Sequence, residues 1–182
     1  MTGWPRSELC DLLGIEHPII QAPMAGATTP PLAAAVSNAG GLGSLGCAAQ
    51  SADQVRADVA ALRDGTNHAF NLNFFVHDAP VPDAENEAAM QQRLAPYYNE
   101  LELGDAPAAR SIFPIFGKEM LAVVTELSPK VASFHFGLPE RAMIDALKEA
   151  GAVILASATT VCEAIALEAG GADAVIAQGV EA

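Results

Sequence analysis

The strongest constraint on this chain is an order that repeats along it: a short apolar run, a glycine or proline turn, then a segment with helical periodicity. Parallel sheets read this way, because crossover helices bury the strands they connect. Six runs fit strands, at residues 19–23, 42–45, 70–75, 131–136, 153–156 and 174–177. Helices fit between them. Thr29 followed by Pro30 and Pro31 is a start signal and Gly40 a stop, which predicts a helix over residues 31–39. Ser51 with Gln54, and Thr160 with Glu163, have the spacing of a capping box. Val55, Val59 and Leu62 then supply an inward stripe, as do Met143, Leu147 and Ala150 before Gly151.

The stretch at about 76–130 interrupts the rhythm. It carries Pro80, Pro82, acidic runs at 83–87 and 100–105, and the pair Tyr97 and Tyr98. Residues 118–127 predict a helix with Met120, Val124 and Leu127 on one face. The apolar run at 111–116 (SIFPIF) is demoted from a strand to an edge or loop by Pro114. The whole stretch reads as an insertion over one end of the sheet, its charges a solvated surface.

Within the strand runs, polar residues come in pairs two apart: Asn71 with Asn73, and Ser133 with His135. In an extended chain this spacing turns both members to one face. Polar groups aimed inward need partners or a ligand to offset their desolvation, so the pairs mark a site. Met24, Asn73, His135, Thr159 and Gln178 all fall at the carboxyl ends of runs, where ligands meet parallel α/β sheets. Each has a plainer reading as well. His135 fits a core histidine bonded to a carbonyl, Met24 a packing residue, and Asn71 a purely structural role. Thr159 and Thr160 read first as a helix cap. His17 falls at the amino end and reads as structural. His77 falls at the carboxyl end of its run, and His68 at the surface.

Composition narrows the function. The chain has 182 residues, 51% of them hydrophobic, enough for one large core. With 22 acidic against 9 basic residues the net charge is −13, which argues against nucleic acid as a partner. No run reaches the length of a membrane span and the first ten residues lack a secretory apolar core, so a cytoplasmic protein is expected. Cys10, Cys47 and Cys162 are odd in number and widely spaced, fitting reduced thiols rather than a disulfide framework or metal site.

Repeated β-α units allow an open doubly wound sheet or a closed barrel, and periodicity alone does not choose. No G-x-G-x-x-G follows the first strand; Gly40, Gly41 and Gly43 are placed for a helix stop and a strand entry.

Five segments in order, IEHPIIQAPMAG at 15–26, AAAVSNAGGLGSLG at 33–46, FNLNFF at 70–75, VASFHFG at 131–137 and GADAVIAQGVEA at 171–182, resemble the nitronate monooxygenases, bacterial class I. Some of these segments are shared with FMN-dependent enoyl-carrier-protein reductases, and the histidine-bearing SFHFG tips the choice. The resemblance implies an FMN-containing TIM (β/α)8-type barrel in which a nitronate reduces the flavin and O2 reoxidises it, giving a carbonyl compound and nitrite. It places Pro23, Met24, Ala25, Gly26, Asn73 and Gln178 on the FMN, and makes His135 the active-site histidine. Family members continue past AQGVEA into a glycine- and histidine-bearing run. The histidine of that run is the family's main catalytic candidate, so the chain is expected to be the amino-terminal part of a single barrel domain, about six of eight β-α units, binding FMN poorly and inactive alone. The alternatives are an enoyl reductase-like enzyme using NAD(P)H, or a non-catalytic remnant that pairs with further copies through exposed strand edges.

Overall fold

A computed structural model describes residues 7–78, 81, 83–108 and 114–180. The chain divides into two compact units, one of residues 1–77 and 113–182 and the other of residues 78–112. The first holds a parallel sheet of β1 (Gly43–Gly46), β2 (Phe70–Phe75), β3 (Val131–His135), β4 (Val153–Ala158) and β5 (Ala174–Ala177). Its strands lie side by side in sequence order. A doubly wound sheet reverses its strand order and covers both faces with helices; an unreversed order keeps the helices on one side and curls the sheet. The first unit is thus a partial α/β barrel, with five strands among the described residues.

Six strands were expected. Residues 19–23 make only an isolated parallel bridge, Ile20 to Leu42, through Gln21 N–H to Leu42 O (2.9 Å) and Leu42 N–H to Ile19 O (2.9 Å). Pro18 and Pro23 bracket this segment, and neither has an N–H to extend a ladder. β4 runs two residues past its expected end at 156, and β3 stops at His135 instead of 136.

The helices follow their sequence signals. Thr29 caps α2 (Pro30–Asn38), accepting from Leu32 N–H, and Ser51 caps α3 (Ala52–Gly65), accepting from Gln54 N–H. Thr160 caps α7 (Val161–Gly170), accepting from Glu163 N–H. The reciprocal half of each capping box is absent: Gln54 Nε2 donates to Asp58, and the Glu163 carboxylate accepts from Thr159 instead of its cap residue. α5 (Lys118–Leu127) has the expected bounds, and α6 (Arg141–Glu149) buries Ile144 and Leu147, with Met143 only partly covered.

One cluster joins these helices to the outer face of the sheet. Val55, Val59 and Leu62 of α3, Val123 and Val124 of α5, and Ile144 and Leu147 of α6 meet Leu45, Leu72, Phe74, Phe134 and Ile154. Phe74, Phe116 and Phe134 stack with centroids 5.0 to 6.2 Å apart. Burying each such side chain contributes about 1.5–3 kcal/mol. Residues 111–113 of the SIFPIF run lie outside the described residues, while Phe116 is buried in this stack.

Gly43 does more than admit a strand. A Cβ there would lie 2.0 Å from Ala33 O and 2.7 Å from Ser37 Oγ, so α2 sits directly on β1. Buried Ser37 stitches the contact, accepting from Gly43 N–H (3.1 Å) and donating to Ala69 O (2.8 Å). A short helix without a sequence expectation, α1 (Glu8–Leu13), brings Cys10 and Leu13 against Leu42, Val131, Val153 and Leu155. This apolar plug closes the inner face of the sheet at the amino ends of its strands.

The second unit contains α4 (Ala84–Glu100), capped by Asp83, which accepts from Glu85 and Asn86 N–H. It has Pro96 within it and no buried residue. Pro80 and Pro82 lie outside the described residues. No helix among the described residues is long and apolar enough to cross a membrane.

Candidate functional site

Strand alternation divides each strand between two environments. Leu72 and Phe74 face the helices; Asn71 and Asn73, with Ser133 and His135 on the next strand, take the opposite face. Both members of each pair therefore share a face, and the face is the inner one.

Above the plug this face is polar. Gln21 Oε1 accepts from Ser44 N–H (3.3 Å), and Asn71 Nδ2 donates to Ser44 Oγ (3.2 Å). One layer nearer the carboxyl ends, Asn73 Nδ2 donates to both Ser133 Oγ (2.9 Å) and Ser133 O (3.3 Å). A carbonyl oxygen accepts only, so the contact to Ser133 O requires that the amide NH2 of Asn73 face it. Asn73 Oδ1 is then the atom left over, buried and without a hydrogen-bond partner among the described residues; Asn71 Oδ1 and Gln21 Nε2 are in the same state. Asn71 and Asn73 are each 1% exposed. A buried, unpaired polar atom costs roughly 1–3 kcal/mol, so these atoms keep hydrogen-bonding capacity that the described residues leave unused.

His135 ends β3 one layer higher. Its Nδ1 is in hydrogen-bond contact with Ser157 Oγ of β4. Burial lowers its pKa from the ordinary value, which favours the neutral imidazole. Phe75 meets its ring edge-on at 6.0 Å, and Phe136 lies 6.2 Å away and 5.1 Å from Phe75. Phe136 has φ of +67° and is 70% exposed. A left-handed phenylalanine costs about 1–3 kcal/mol and is tolerated where the surroundings demand it, typically at functional sites. That reversal ends β3 and leaves an aromatic ring standing at the rim.

Residues 23–26 reach the same end of the sheet. They form a turn in which Thr28 Oγ1 accepts from Met24 N–H (3.0 Å) and Gly26 has φ of +76°. A Cβ on Gly46 would come within 2.7 Å of Ala25 N, so glycine at the end of β1 lets this turn settle onto the strand. Gly46 pairs with Asn73, and Asn73 with Ser133. Gln178 follows β5, its N–H bonded to Ala158 O (2.9 Å), and lines a cavity of about 340 Å³ with Ser157, Phe136, Gly137, Thr159 and Glu163. Residues 23–26, Asn73, His135 and Gln178 thus lie along one continuous rim. A larger cavity of about 570 Å³ lies at the opposite, amino end, beside Cys10, Ser37 and His68.

His77 follows β2 at the rim with a buried, unpartnered Nδ1, and His17 lies at the amino end against Gly40. Thr159 is held by Glu163, whose carboxyl is kept below the usual range by the Thr159 backbone N–H and hydroxyl. Cys47 is no nucleophile, since burial pushes its thiol up to about 12. No group of three potential metal ligands occurs among the described residues.

Sequence reasoning passed over Gln21, Ser44, Ser157 and Phe136. Ser157 was recoverable: Val153, Leu155 and Ser157 continue the same two-residue inward step, but the strand was expected to stop at 156.

Comparison with known proteins bears on the chain as a whole. The family model for nitronate monooxygenase matches residues 6–182. The chain belongs to the nitronate monooxygenase family. It is 49% identical over 181 residues to the nitronate monooxygenase of Paraburkholderia phytofirmans, covering 97% of this chain and 49% of that protein. Among solved structures it is similar to a nitroalkane oxidase from Streptomyces ansochromogenes (43% identity, TM-score 0.82, 97% of this chain and 49% of that one). It is also similar to FabK from Thermotoga maritima (31% identity, TM-score 0.72, 98% and 45%). The chain spans about half the length of the curated nitronate monooxygenases it matches.

Proposed function

We propose that this chain forms the flavin-ring and histidine side of an FMN-dependent nitronate monooxygenase, which converts an alkyl nitronate and O2 to a carbonyl compound and nitrite. The observation that carries the reading is Asn73. Its carbonyl oxygen is buried and unpaired, on the inner face, one strand from His135 and in register with Gly46 beneath the 23–26 turn. An unpaired acceptor in that layer fits an N–H of a flavin ring, and the 23–26 turn lies close against the neighbouring strand end at Gly46.

The residues that would hold FMN are Pro23, Met24, Ala25, Gly26, Asn73 and Gln178. The flavin, when bound, supplies an electron acceptor for the nitronate and an electron donor for O2. The chain's own contribution is orientation and exclusion of water. His135, in its neutral form, donates a hydrogen bond from its ring N–H to the anionic nitronate without needing a proton from solvent. Phe75, edge-on to the imidazole, limits water on that side, while Phe136 stands exposed at the rim. This local donor is what allows an anion to bind a chain of net charge −13.

The test is oxygen uptake by the complete, FMN-loaded protein on addition of an alkyl nitronate. Uptake without NADH, reduced at least tenfold by His135→Ala, supports the reading. Consumption of NADH with no response to nitronate would replace it with the enoyl reductase-like alternative.

A further inference from the structure

The partner of His135 is the least expected feature of the rim. Ser157 occupies the third inward position of β4, after Val153 and Leu155, and stands beside His135 one step beyond the last paired residues, Phe134 and Ala156. The two side chains therefore meet because parallel strands in register carry same-parity residues side by side. Phe75 meets the ring edge-on at 6.0 Å and Phe136 lies tilted to it at 6.2 Å, and Ser157 is the ring's sole hydrogen-bond partner among the described residues.

A neutral imidazole has one N–H and one bare nitrogen, and which is which follows from the hydrogen bond the other atom makes. A serine hydroxyl can donate or accept. Donation to Nδ1 leaves the proton on Nε2, the nitrogen farther from the backbone. The reverse arrangement leaves a bare nitrogen facing the site, which repels an anion.

We infer that Ser157 is a positioning residue: its hydroxyl donates to Nδ1 of His135 and holds the imidazole in the Nε2–H tautomer, making Nε2–H the donor offered to an anionic ligand at the rim. The pairing of Ser157 with His135 stands on their contact; the direction of that hydrogen bond, and with it the tautomer, rests on the anionic ligand of the function proposed above. No bond is made or broken, and the serine acts only through the histidine.

The tautomer is read directly by long-range ¹H–¹⁵N correlation of the imidazole nitrogens in the 182-residue chain. With four histidines in the sequence, His135→Asn identifies the relevant signals. At pH 7.5 the expected pattern is a downfield, unprotonated Nδ1 and an upfield, protonated Nε2. Ser157→Ala should draw the two signals together as the tautomers mix, and Ser157→Thr, which restores a hydroxyl, should return them toward the original positions. A protonated Nδ1 in the unaltered chain overturns the inference, and so does a pattern unchanged by Ser157→Ala. In the complete, FMN-loaded protein the same Ser157→Ala change should lower kcat/KM for a nitronate about tenfold, the worth of one hydrogen bond, with Ser157→Thr recovering most of it. The expected nitrogen pattern together with no nitronate turnover in any variant would support the Ser157 assignment while removing the proposed function. Normal turnover in Ser157→Ala would remove the assignment and leave the function standing.

Discussion

The two faces of one sheet differ more than any two separate parts of this molecule. Leu72, Phe74, Phe134 and Ile154 point outward into close-packed contact with three helices, and Asn71, Asn73, Ser133 and His135, their immediate neighbours in sequence, point inward and are polar. The outer face is saturated, because apolar side chains need only contact. The inner face keeps buried acceptors without partners. A domain selected for stability alone would fill that layer with valine and leucine, as it does lower down at Val131, Val153 and Leu155. The transition from apolar plug to polar layer within two residues of each strand marks where folding ends and chemistry begins.

If this division is right, the largest effect comes from the outer face. Phe134→Ala removes a ring that is 1% exposed and touches Phe74 and Phe116, and should cost about 3–5 kcal/mol in chemical denaturation. A loss under about 1 kcal/mol would break the comparison at its stable end. Gly43→Ala should cost about 1–3 kcal/mol, because its Cβ would press on the Ala33 carbonyl and displace α2; a lowered denaturation midpoint checks it.

The inner face should behave in the opposite sense. Asn73→Leu removes an unpaired buried oxygen together with the two bonds its NH2 makes to Ser133, and as the two effects oppose each other stability should change by no more than about 1 kcal/mol. FMN affinity by fluorescence quenching should nonetheless fall about tenfold, the worth of one hydrogen bond. A large loss of stability with unchanged flavin affinity would make Asn73 a core residue. The smallest effect is pH dependence. Burial lowers the His135 pKa below its unfolded value of about 6.5. The unfolded chain therefore binds more protons between those two values, and stability should fall as pH drops through that window and level off below it. His135→Asn should flatten that slope in denaturation midpoints taken across the range, and an unchanged slope would assign the pH dependence elsewhere.

Much of this was readable beforehand, for reasons that differ by element. Ser51, Thr29 and Thr160 cap helices within three residues of themselves, so the signal and its consequence are local. The helix at Lys118–Leu127 is exact because its apolar period is unbroken. The segment at 19–23 looked like a strand because it is apolar, but pairing takes N–H groups, and Pro18 and Pro23 offer none. α1 was invisible because six residues are too short for a period to show. Ser157 was missed for a different reason: its importance depends on a histidine 22 residues away on the adjacent strand.

Parity, then, belonged to the sequence. Once residues 70–75 and 131–135 are extended, the two-residue repeat of the backbone forces Asn71 with Asn73, and Ser133 with His135, onto a common face whatever else the chain does. Tertiary structure alone decided that the strands follow one another without reversal, making that face the inside of a barrel wall. It also decided that the amide of Asn73 spends its NH2 on Ser133 and keeps its oxygen unpaired, and that the nearest polar group to His135 is Ser157. Those outcomes depend on which strands become neighbours and in what register, and that is set by the packing of helices against the far side of the sheet.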